Sequence, residues 1–205
     1  LFKTTYSNNP NFSDLSISFA TQYIPDGRVK PLGTADALLQ AMDQYPQLKK
    51  ISFSVCNSDN LYSVNALTKL RENPETNSFI AYDAKYLKFP ENRLSSFAVT
   101  ILDNENKLLN IIEKPKKEEI HSFRDKKGVI RVSMNIFSFK GDQLFKYVKS
   151  CPIHKERKEK ELPIAVLNMI KDFPGSMQGI PMAEHVPDLT SKDDIIEIEK
   201  YLREF

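Results

Sequence analysis

Apolar and polar side chains follow several different periods along the first third of the chain, and each period predicts an element. Alternation at every second position predicts a strand over residues 16–23. Apolar residues three and four positions apart predict a helix over residues 34–45, and an apolar run predicts a buried strand over residues 50–56. Ser63 is predicted to cap a helix over residues 64–73. The order strand, helix, strand, helix predicts a parallel, doubly wound sheet.

The remainder of the chain shows strand patterns first and helical patterns later. Strands are predicted over residues 79–85, 97–102, 108–113, 129–139 and 177–182. Helices are predicted over residues 142–148, 161–172 and 190–205. Because few helical signals separate the first four of these strands, an antiparallel extension of the sheet is expected. Thr190 is predicted to cap the last helix, and Asp193 and Asp194 to complement its positive N-terminus.

Composition and charge narrow the class of protein. The 205 residues are 40% hydrophobic and 27% charged, which is typical of one globular domain over residues 1–205. The formal net charge of +2 argues against nucleic-acid binding by bulk charge. No apolar run approaches the roughly 18 residues of a transmembrane helix, so no membrane partner is expected. Two cysteines are too few for a disulfide framework and favour a cytoplasmic location, although one bridge is left open.

Two candidate functional residues lie in turns or loops in the first third of the chain. Gly33 stands at a turn into a helix, where the missing side chain lets a ligand approach the backbone; ordinary turn chemistry is the alternative. Asp59, beside Asn57 and Asn60, follows the strand at residues 50–56. A carboxylate there suits Mg²⁺, which prefers hard oxygen ligands, whereas an Asx-turn is the alternative.

Two further candidates lie later in the chain. Glu113 and Lys114 close a strand before Pro115, and strand geometry would turn their side chains to opposite faces unless a bulge intervenes. A solvated strand edge is the alternative for both residues. Asp188 places a carboxylate in the loop before the last predicted helix, where it is a candidate functional residue. The alternative is that Thr190 caps the helix and Asp188 is merely solvated. The three histidines show no metal-ligand spacing, and neither G-x-S-x-G nor a glycine-rich phosphate loop is present.

Five stretches, taken in order, resemble the sugar nucleotidyltransferase family (nucleoside-diphosphate-sugar pyrophosphorylases). PLGTADALLQA resembles P-L-G-T-x-x-A-L, and VCNSDNLYS resembles the N-G-D-N strand end. VTILDNENKLLNIIEKP resembles V-x-x-D-x-x-G-x-I-x-x-I-x-E-K-P, VSMNIFSF resembles V-x-x-G-I-Y-x-F, and VPDLTSKDDIIEIEKYL resembles W-x-D-v-G-T-p-e-d-l. The resemblance implies a Rossmann-like α/β fold: a mostly parallel central sheet, helices on both faces and an antiparallel β extension.

The resemblance also implies a reaction. A sugar 1-phosphate attacks the α-phosphorus of a nucleoside triphosphate, pyrophosphate leaves, and a nucleotide-sugar forms. Two anions must meet, so Mg²⁺ and correct positioning carry the catalysis, and no protein nucleophile is needed. The expected partners are these two small molecules; a homo-oligomer is left open.

Site residues follow by matching motifs position by position. Asp59 and Asp188 are expected to hold magnesium. Lys114 is expected to bind the sugar phosphate, and Glu113 the sugar hydroxyls. Gly33 is expected to let the nucleotide base pack against the backbone, with Thr34 nearby.

Three positions depart from the family pattern. Arg28 stands where the family often has a base-reading Gln, and Gln22 lies further off; since Arg only donates hydrogen bonds, the base preference is left open. Ser58 replaces the Gly of N-G-D beside the expected metal site. Asn135 replaces the Gly of V-x-x-G-I-Y, and is expected to narrow the sugar pocket or to contact the sugar.

The family's N-terminal glycine-rich phosphate loop has no counterpart before residue 16, so the natural protein is expected to extend beyond Leu1. Two alternatives to the enzyme stay open. A module that senses a nucleotide-sugar without making it would not need that loop. A glycosyltransferase is less consistent with the chain, because those enzymes typically carry Asp-x-Asp, whereas Asp59 is followed by Asn60 and Leu61.

Overall fold

A six-stranded sheet lies at the centre of the computed structural model, which describes residues 2–7, 9–72 and 74–203. Its strands are β1 (Ser52–Cys56), β2 (Asn77–Asp83), β3 (Ala98–Leu102), β4 (Leu108–Ile112), β5 (Arg131–Lys140) and β6 (Met177–Met182). The helices are α1 (Phe2–Tyr6), α2 (Thr34–Gln44), α3 (Val64–Arg71), α4 (Glu91–Leu94), α5 (Gly141–Lys149), α6 (Leu162–Asp172) and α7 (Asp194–Leu202). Short 3₁₀ helices lie at Pro10–Phe12, Pro46–Lys49, Ala84–Tyr86 and Lys117–Phe123.

The sheet is mixed. Its strand order is β4-β3-β5-β2-β6, and β1 also pairs with β5. Strands β2 and β6 run parallel, while the other pairs among the described residues are antiparallel. The predicted α/β class is therefore confirmed, but the described strands do not form a mostly parallel arrangement. The hairpin between β3 and β4 is too short for the crossover that a parallel pair requires.

Helices cover both faces of the sheet, as predicted. Side chains alternate along β2, so Phe79 packs with Phe137 and buried residues of α2, α5 and α6. Ile80 and Tyr82 point the other way and pack with Leu70 of α3. These large side chains are 0–1% exposed, and full burial of each contributes about 1.5–3 kcal/mol.

Residues 16–23 do not form the predicted strand. The segment is extended, but the hydrogen-bonding groups of Thr21 pair with the side-chain amide of Gln44, at 3.0 and 2.8 Å. Those of Tyr23 pair in the same way with Gln40, at 2.7 and 3.1 Å. Two glutamines of α2 thus take the place of a neighbouring strand. Strand β1 also differs from the prediction, since it is half-buried rather than buried.

Helix ends test the capping predictions. Ser63 caps α3, because its hydroxyl accepts from the backbone N–H of Ala66 over 3.0 Å. Thr190 does not cap the last helix, which begins at Asp194 rather than at the predicted position. The carboxylate of Asp194 instead accepts from the N–H groups of Thr190 and Ser191. Phe205, at the end of that predicted helix, and Asn73, at the end of the helix after Ser63, lie outside the described residues.

Along one edge of β5, the strand that pairs with it changes at Asn135. Beyond it, β1 pairs with β5 from Ile136 onward; before it, β3 pairs with β5 at Val132 and Ser133. Asn135 has a left-handed backbone with φ of 55°, and the register between β2 and β5 shifts at this level. The two neighbours of β5 therefore separate, and the space between them opens into the candidate site.

None of the described helices has the length and apolarity that crossing a bilayer requires.

Candidate active site

The separation of β1 from β3 opens a cavity of about 290 Å³, called here the Asp188 cavity. Its lining includes three acids, two bases and two amides from five separate stretches of the chain. They are Asn57, Asp59, Arg93, Glu113, Lys114, Asn135 and Asp188. Three residues predicted to carry the chemistry, Asp59, Lys114 and Asp188, are therefore brought to one place.

Asp59 and Asp188 are neighbours because their backbone segments pair. The N–H of Leu189 donates to the carbonyl of Asp59 over 2.7 Å, and the N–H of Leu61 donates to the carbonyl of Pro187 over 2.9 Å. Asn60 and Asp188 thus face each other as an isolated antiparallel bridge. The turn after β1 is held beside the approach to α7.

Three hydrogen bonds surround the carboxylate of the buried residue Asp188. Its Oδ1 accepts from Nδ2 of Asn60 over 2.8 Å, and its Oδ2 accepts from Arg93 and from the hydroxyl of Thr190, each over 2.7 Å. Arg93 also lies 2.7 Å from Asp194. Hydrogen bonding to Asp194 raises the pKa of Arg93, and the same guanidinium holds the pKa of Asp194 at about 2.

The two acids differ in their fitness to bind a metal. Asp59 is exposed, and its carboxylate has no hydrogen-bond or ion-pair partner among the described residues, so it fits a magnesium ligand. Asp188 has the right chemistry and place, but both its oxygens are already engaged. The described residues contain no group of three or more His, Cys, Asp or Glu that could enclose a metal. A magnesium ion here would take most of its ligands from phosphate and water.

Glu113 and Lys114 both reach this cavity, which regular strand geometry would not allow. Strand β4 ends at Ile112, and Lys114 has a left-handed backbone with φ of 46°, which breaks the alternation. Burial raises the pKa of Glu113, although Arg157 at 3.9 Å opposes that rise. The irregularity required for both side chains to serve one site is present.

A second cavity of about 330 Å³, called here the Glu161 cavity, adjoins the first. The two share Asn57, Glu113 and Asn135. The Glu161 cavity is otherwise lined by the start of α2, the end of β1, and Glu159, Glu161, Leu162 and Pro163 before and in α6. Together the cavities form one cleft, with both cationic side chains in the Asp188 cavity and carboxylates in both cavities.

A comparison with known protein families shows which family the chain matches. A family described as "Nucleotidyl transferase" matches residues 1–172. The chain belongs to the nucleotidyl transferase family. Its curated relatives include the bifunctional protein GlmU of Methanococcus maripaludis strain C7, 31% identical over 169 residues. The bifunctional protein GlmU of Methanocaldococcus jannaschii is 28% identical over 174 residues.

These relatives are much longer than the chain. The matches cover 82% and 83% of the chain but 34% and 35% of the relatives, so the chain spans about a third of their length. The crystal structure of a UDP-glucose pyrophosphorylase complexed with UDP-glucose shares the fold, with a TM-score of 0.62 at 16% identity. That match covers 86% of the chain and 64% of the other protein.

In this nucleotidyl transferase fold, Gly33 meets the chain's own backbone. Its φ is 107°, and a Cβ there would lie 2.5 Å from the carbonyl oxygen of Lys160. Thr34 lines the Glu161 cavity, and its hydroxyl accepts a hydrogen bond from the N–H of Leu162 over 2.9 Å. This bond provides a partner for one of the N–H groups in the first turn of α6, which have none within the helix. The need for glycine and threonine at this turn is thus explained by contact with residues 160–162; their predicted contact with a nucleotide stays a prediction.

Arg28 is not brought to either cavity. Its guanidinium donates to the carbonyls of Lys30 and Pro31, at 3.3 and 3.4 Å, within its own loop. Gln22, which the sequence places further from the glycine, is the residue that contacts the turn: its amide donates to the carbonyl of Gly33 and to Asp36, both over 3.0 Å. The loop that carries Arg28 folds away, so spacing in sequence misjudges which side chain is near.

Glu161 is a candidate residue that no motif in the sequence indicates. It is 8% exposed, and its Oε1 lies 2.8 Å from Nε of Arg157. Its Oε2 is buried with no hydrogen-bond partner among the described residues. The residue ends a run of mixed charges, and a carboxylate directly before the apolar pattern of α6 was the available signal.

Proposed function

We propose that the chain carries the active site of a magnesium-dependent enzyme that joins a nucleoside triphosphate to a sugar 1-phosphate and releases pyrophosphate. The observation that carries the proposal is the convergence of Asp59, Lys114 and Asp188 on one cavity that continues into a second, acidic one. Membership of the nucleotidyl transferase family supports it. A cytoplasmic location is part of the proposal, and the two free cysteines are consistent with it.

Binding of the phosphates is assigned to the Asp188 cavity. Magnesium, when bound, would neutralise phosphate charge and orient the attacking and leaving oxygens. The exposed carboxylate of Asp59 is free to hold it, with Asp188 as the adjacent acid. Lys114 adds a cation to the same cavity, where it would hold the sugar phosphate against electrostatic repulsion from the triphosphate.

Binding of the sugar is assigned to the Glu161 cavity. Carboxylates accept hydrogen bonds from hydroxyl groups, and Glu113 and Glu161 both line this space. Asn135 lies on the boundary of the two cavities, where it can contact the sugar next to its phosphate. Because the sugar phosphate is itself an anion near neutral pH, it needs no protein nucleophile and little help from a general base.

The test is pyrophosphate release by the full-length protein. Each common nucleoside triphosphate is paired with a panel of sugar 1-phosphates, with and without Mg²⁺. The expected result is release that needs both substrates and the metal, and that Asp59→Asn lowers by about 100-fold or more. Asp14→Asn, another exposed turn aspartate, is the control and should leave the rate unchanged. A protein that binds a nucleotide-sugar but never releases pyrophosphate would instead be the sensing module.

A further inference from the structure

Arg93 connects two buried acids that are distant from it in sequence. Its guanidinium lies 2.7 Å from Asp188 and 2.7 Å from Asp194, which are 95 and 101 residues away along the chain. The two aspartates are 8% and 7% exposed. Arg93 itself lies at the end of α4, with its side chain 25% exposed, and lines the Asp188 cavity. A fixed positive charge is therefore built into the wall of the candidate active site.

The oxygen that Arg93 contacts is one that a metal would need. Oδ2 of Asp188 accepts from Arg93 and Thr190, and Oδ1 accepts from Asn60. Because a guanidinium never loses its proton near neutral pH, its hydrogen bond to Asp188 persists at any working pH. A divalent cation and Arg93 thus require the same lone pairs and the same negative charge.

We propose that Arg93 is a positioning residue that competes with the divalent cation for Asp188, and so lowers the affinity of the site for metal. The inference rests on the proposed function. Asp188 is held by Arg93, whereas the exposed carboxylate of Asp59 is free to bind metal. Asp188 would become available to the metal once the guanidinium is displaced, for instance toward the phosphate groups that the substrates would bring into the same cavity.

A purely structural role for Arg93 makes the opposite prediction. If the arginine served only to neutralise two buried acids, its removal would disturb the loop before α7 and would weaken metal binding or leave it unchanged. Competition predicts tighter binding when the arginine is removed. The sign of the change in metal affinity therefore separates the two roles.

The experiment measures Mn²⁺ binding to the protein by isothermal titration calorimetry, without nucleotide, so that no activity is needed. Arg93→Gln is expected to lower the Kd for Mn²⁺ by at least about fivefold relative to wild type. The gain should vanish in Arg93→Gln/Asp188→Asn. Arg131→Gln, which breaks another arginine–aspartate pair (with Asp125, 3.3 Å), is the control and should change the Kd by less than about twofold.

A second variant separates the freed ligand from a simple change in local charge. Arg93→Gln/Asp194→Asn removes one positive and one negative charge, so the local net charge matches wild type, and no unpaired Asp194 is left to oppose folding. It should still bind Mn²⁺ at least about threefold more tightly than wild type. Unchanged or weaker binding in Arg93→Gln and in Arg93→Gln/Asp194→Asn overturns the inference. The proposed metal site is tested separately by Asp59→Asn, which is expected to lose Mn²⁺ binding. If wild type bound no Mn²⁺, both this inference and the metal site of the proposed function would be wrong.

Discussion

The side chain of Asn60 donates to the carboxylate of Asp188 over 2.8 Å, joining two positions 128 residues apart. Backbone hydrogen bonds on either side of this pair hold the turn after β1 against the segment before α7. Asp59, the neighbour of Asn60, is thereby placed at the same cavity as Asp188. The candidate metal site depends on this contact.

Asp188 should therefore contribute to stability as well as to the site. Asp188→Ala removes a buried carboxylate that accepts hydrogen bonds from Asn60, Arg93 and Thr190. It also leaves Arg93 with one of its two acids. We expect the free energy of unfolding in urea to fall by about 3 kcal/mol. Asp59→Ala, at an exposed position, should change it by no more than about 0.5 kcal/mol. Equal effects of the two substitutions would contradict the structural role given to Asp188.

Gly33 should be far less replaceable than Gly27, although both have a positive φ. A Cβ at Gly33 would lie 2.5 Å from the backbone of Lys160, whereas a Cβ at Gly27 meets nothing within 4 Å. We expect Gly27→Ala to destabilise the protein by about 1 kcal/mol through backbone strain alone. Gly33→Ala should cost about 2 kcal/mol more, since the clash adds to the strain. The measurement is urea unfolding of both variants, and similar losses would show that the contact with Lys160 does not restrict this turn.

The Arg93–Asp194 pair should make stability depend on acid pH. The folded-state pKa of Asp194 is held at about 2 by Arg93, below the roughly 3.9 of an unfolded aspartate. A lowered folded-state pKa stabilises the protein above the unfolded value, and this contribution is lost as the pH falls from about 4 to about 2. The wild-type urea midpoint should fall more steeply over that window than the midpoint of Asp194→Asn. Asp193→Asn, at the exposed neighbouring position, should follow wild type, and a wild-type curve parallel to that of Asp194→Asn would refute the coupling.

Glu161 should act on the sugar phosphate rather than on the nucleotide. Glu161→Gln replaces the buried acceptor that has no partner among the described residues, and a hydrogen bond to a charged group contributes about 1.5–3 kcal/mol. We expect the KM for the sugar phosphate to rise about tenfold or more, with little change in the KM for the nucleoside triphosphate. Glu156→Gln, at an exposed position in the same loop, is the control. An unchanged KM for the sugar phosphate would remove Glu161 from the site.

Local patterns predicted most of the elements. The helices around α2, α3, α5 and α6 and the strands β1 to β6 follow the predicted segments to within a few residues, since apolar spacing reports which face is buried. Strand direction was harder, because it depends on which distant segment lies alongside. The strand prediction for residues 16–23 was wrong for a related reason. An extended segment whose backbone hydrogen bonds are made by glutamine side chains shows the same apolar–polar alternation as a strand.

Site prediction divided along similar lines. Asp59, Lys114 and Asp188 were selected because they stand in motifs that retain their order; the structure brings them to one cavity, and their roles stay predictions. Arg93 and Glu161 stand in no motif that was recognised. The ion pairs of Arg93 span 95 and 101 residues, and nothing in the sequence near it indicates its partners. Arg28 was selected by spacing alone, which the folding of its loop overrides.

The central claim is that the cleft between β1 and β3 transfers a nucleotidyl group from a nucleoside triphosphate to a sugar 1-phosphate with release of pyrophosphate, so that in reverse pyrophosphate displaces sugar 1-phosphate from a nucleotide-sugar. The most direct measurement runs the reaction backwards: the full-length protein is given labelled pyrophosphate, Mg²⁺ and a panel of nucleotide-sugars, and label is followed into nucleoside triphosphate. The account predicts that label appears with at least one nucleotide-sugar, disappears when the metal is chelated, and falls about 100-fold or more in Asp59→Asn. Incorporation that Asp59→Asn leaves intact, or none with any nucleotide-sugar, would contradict it.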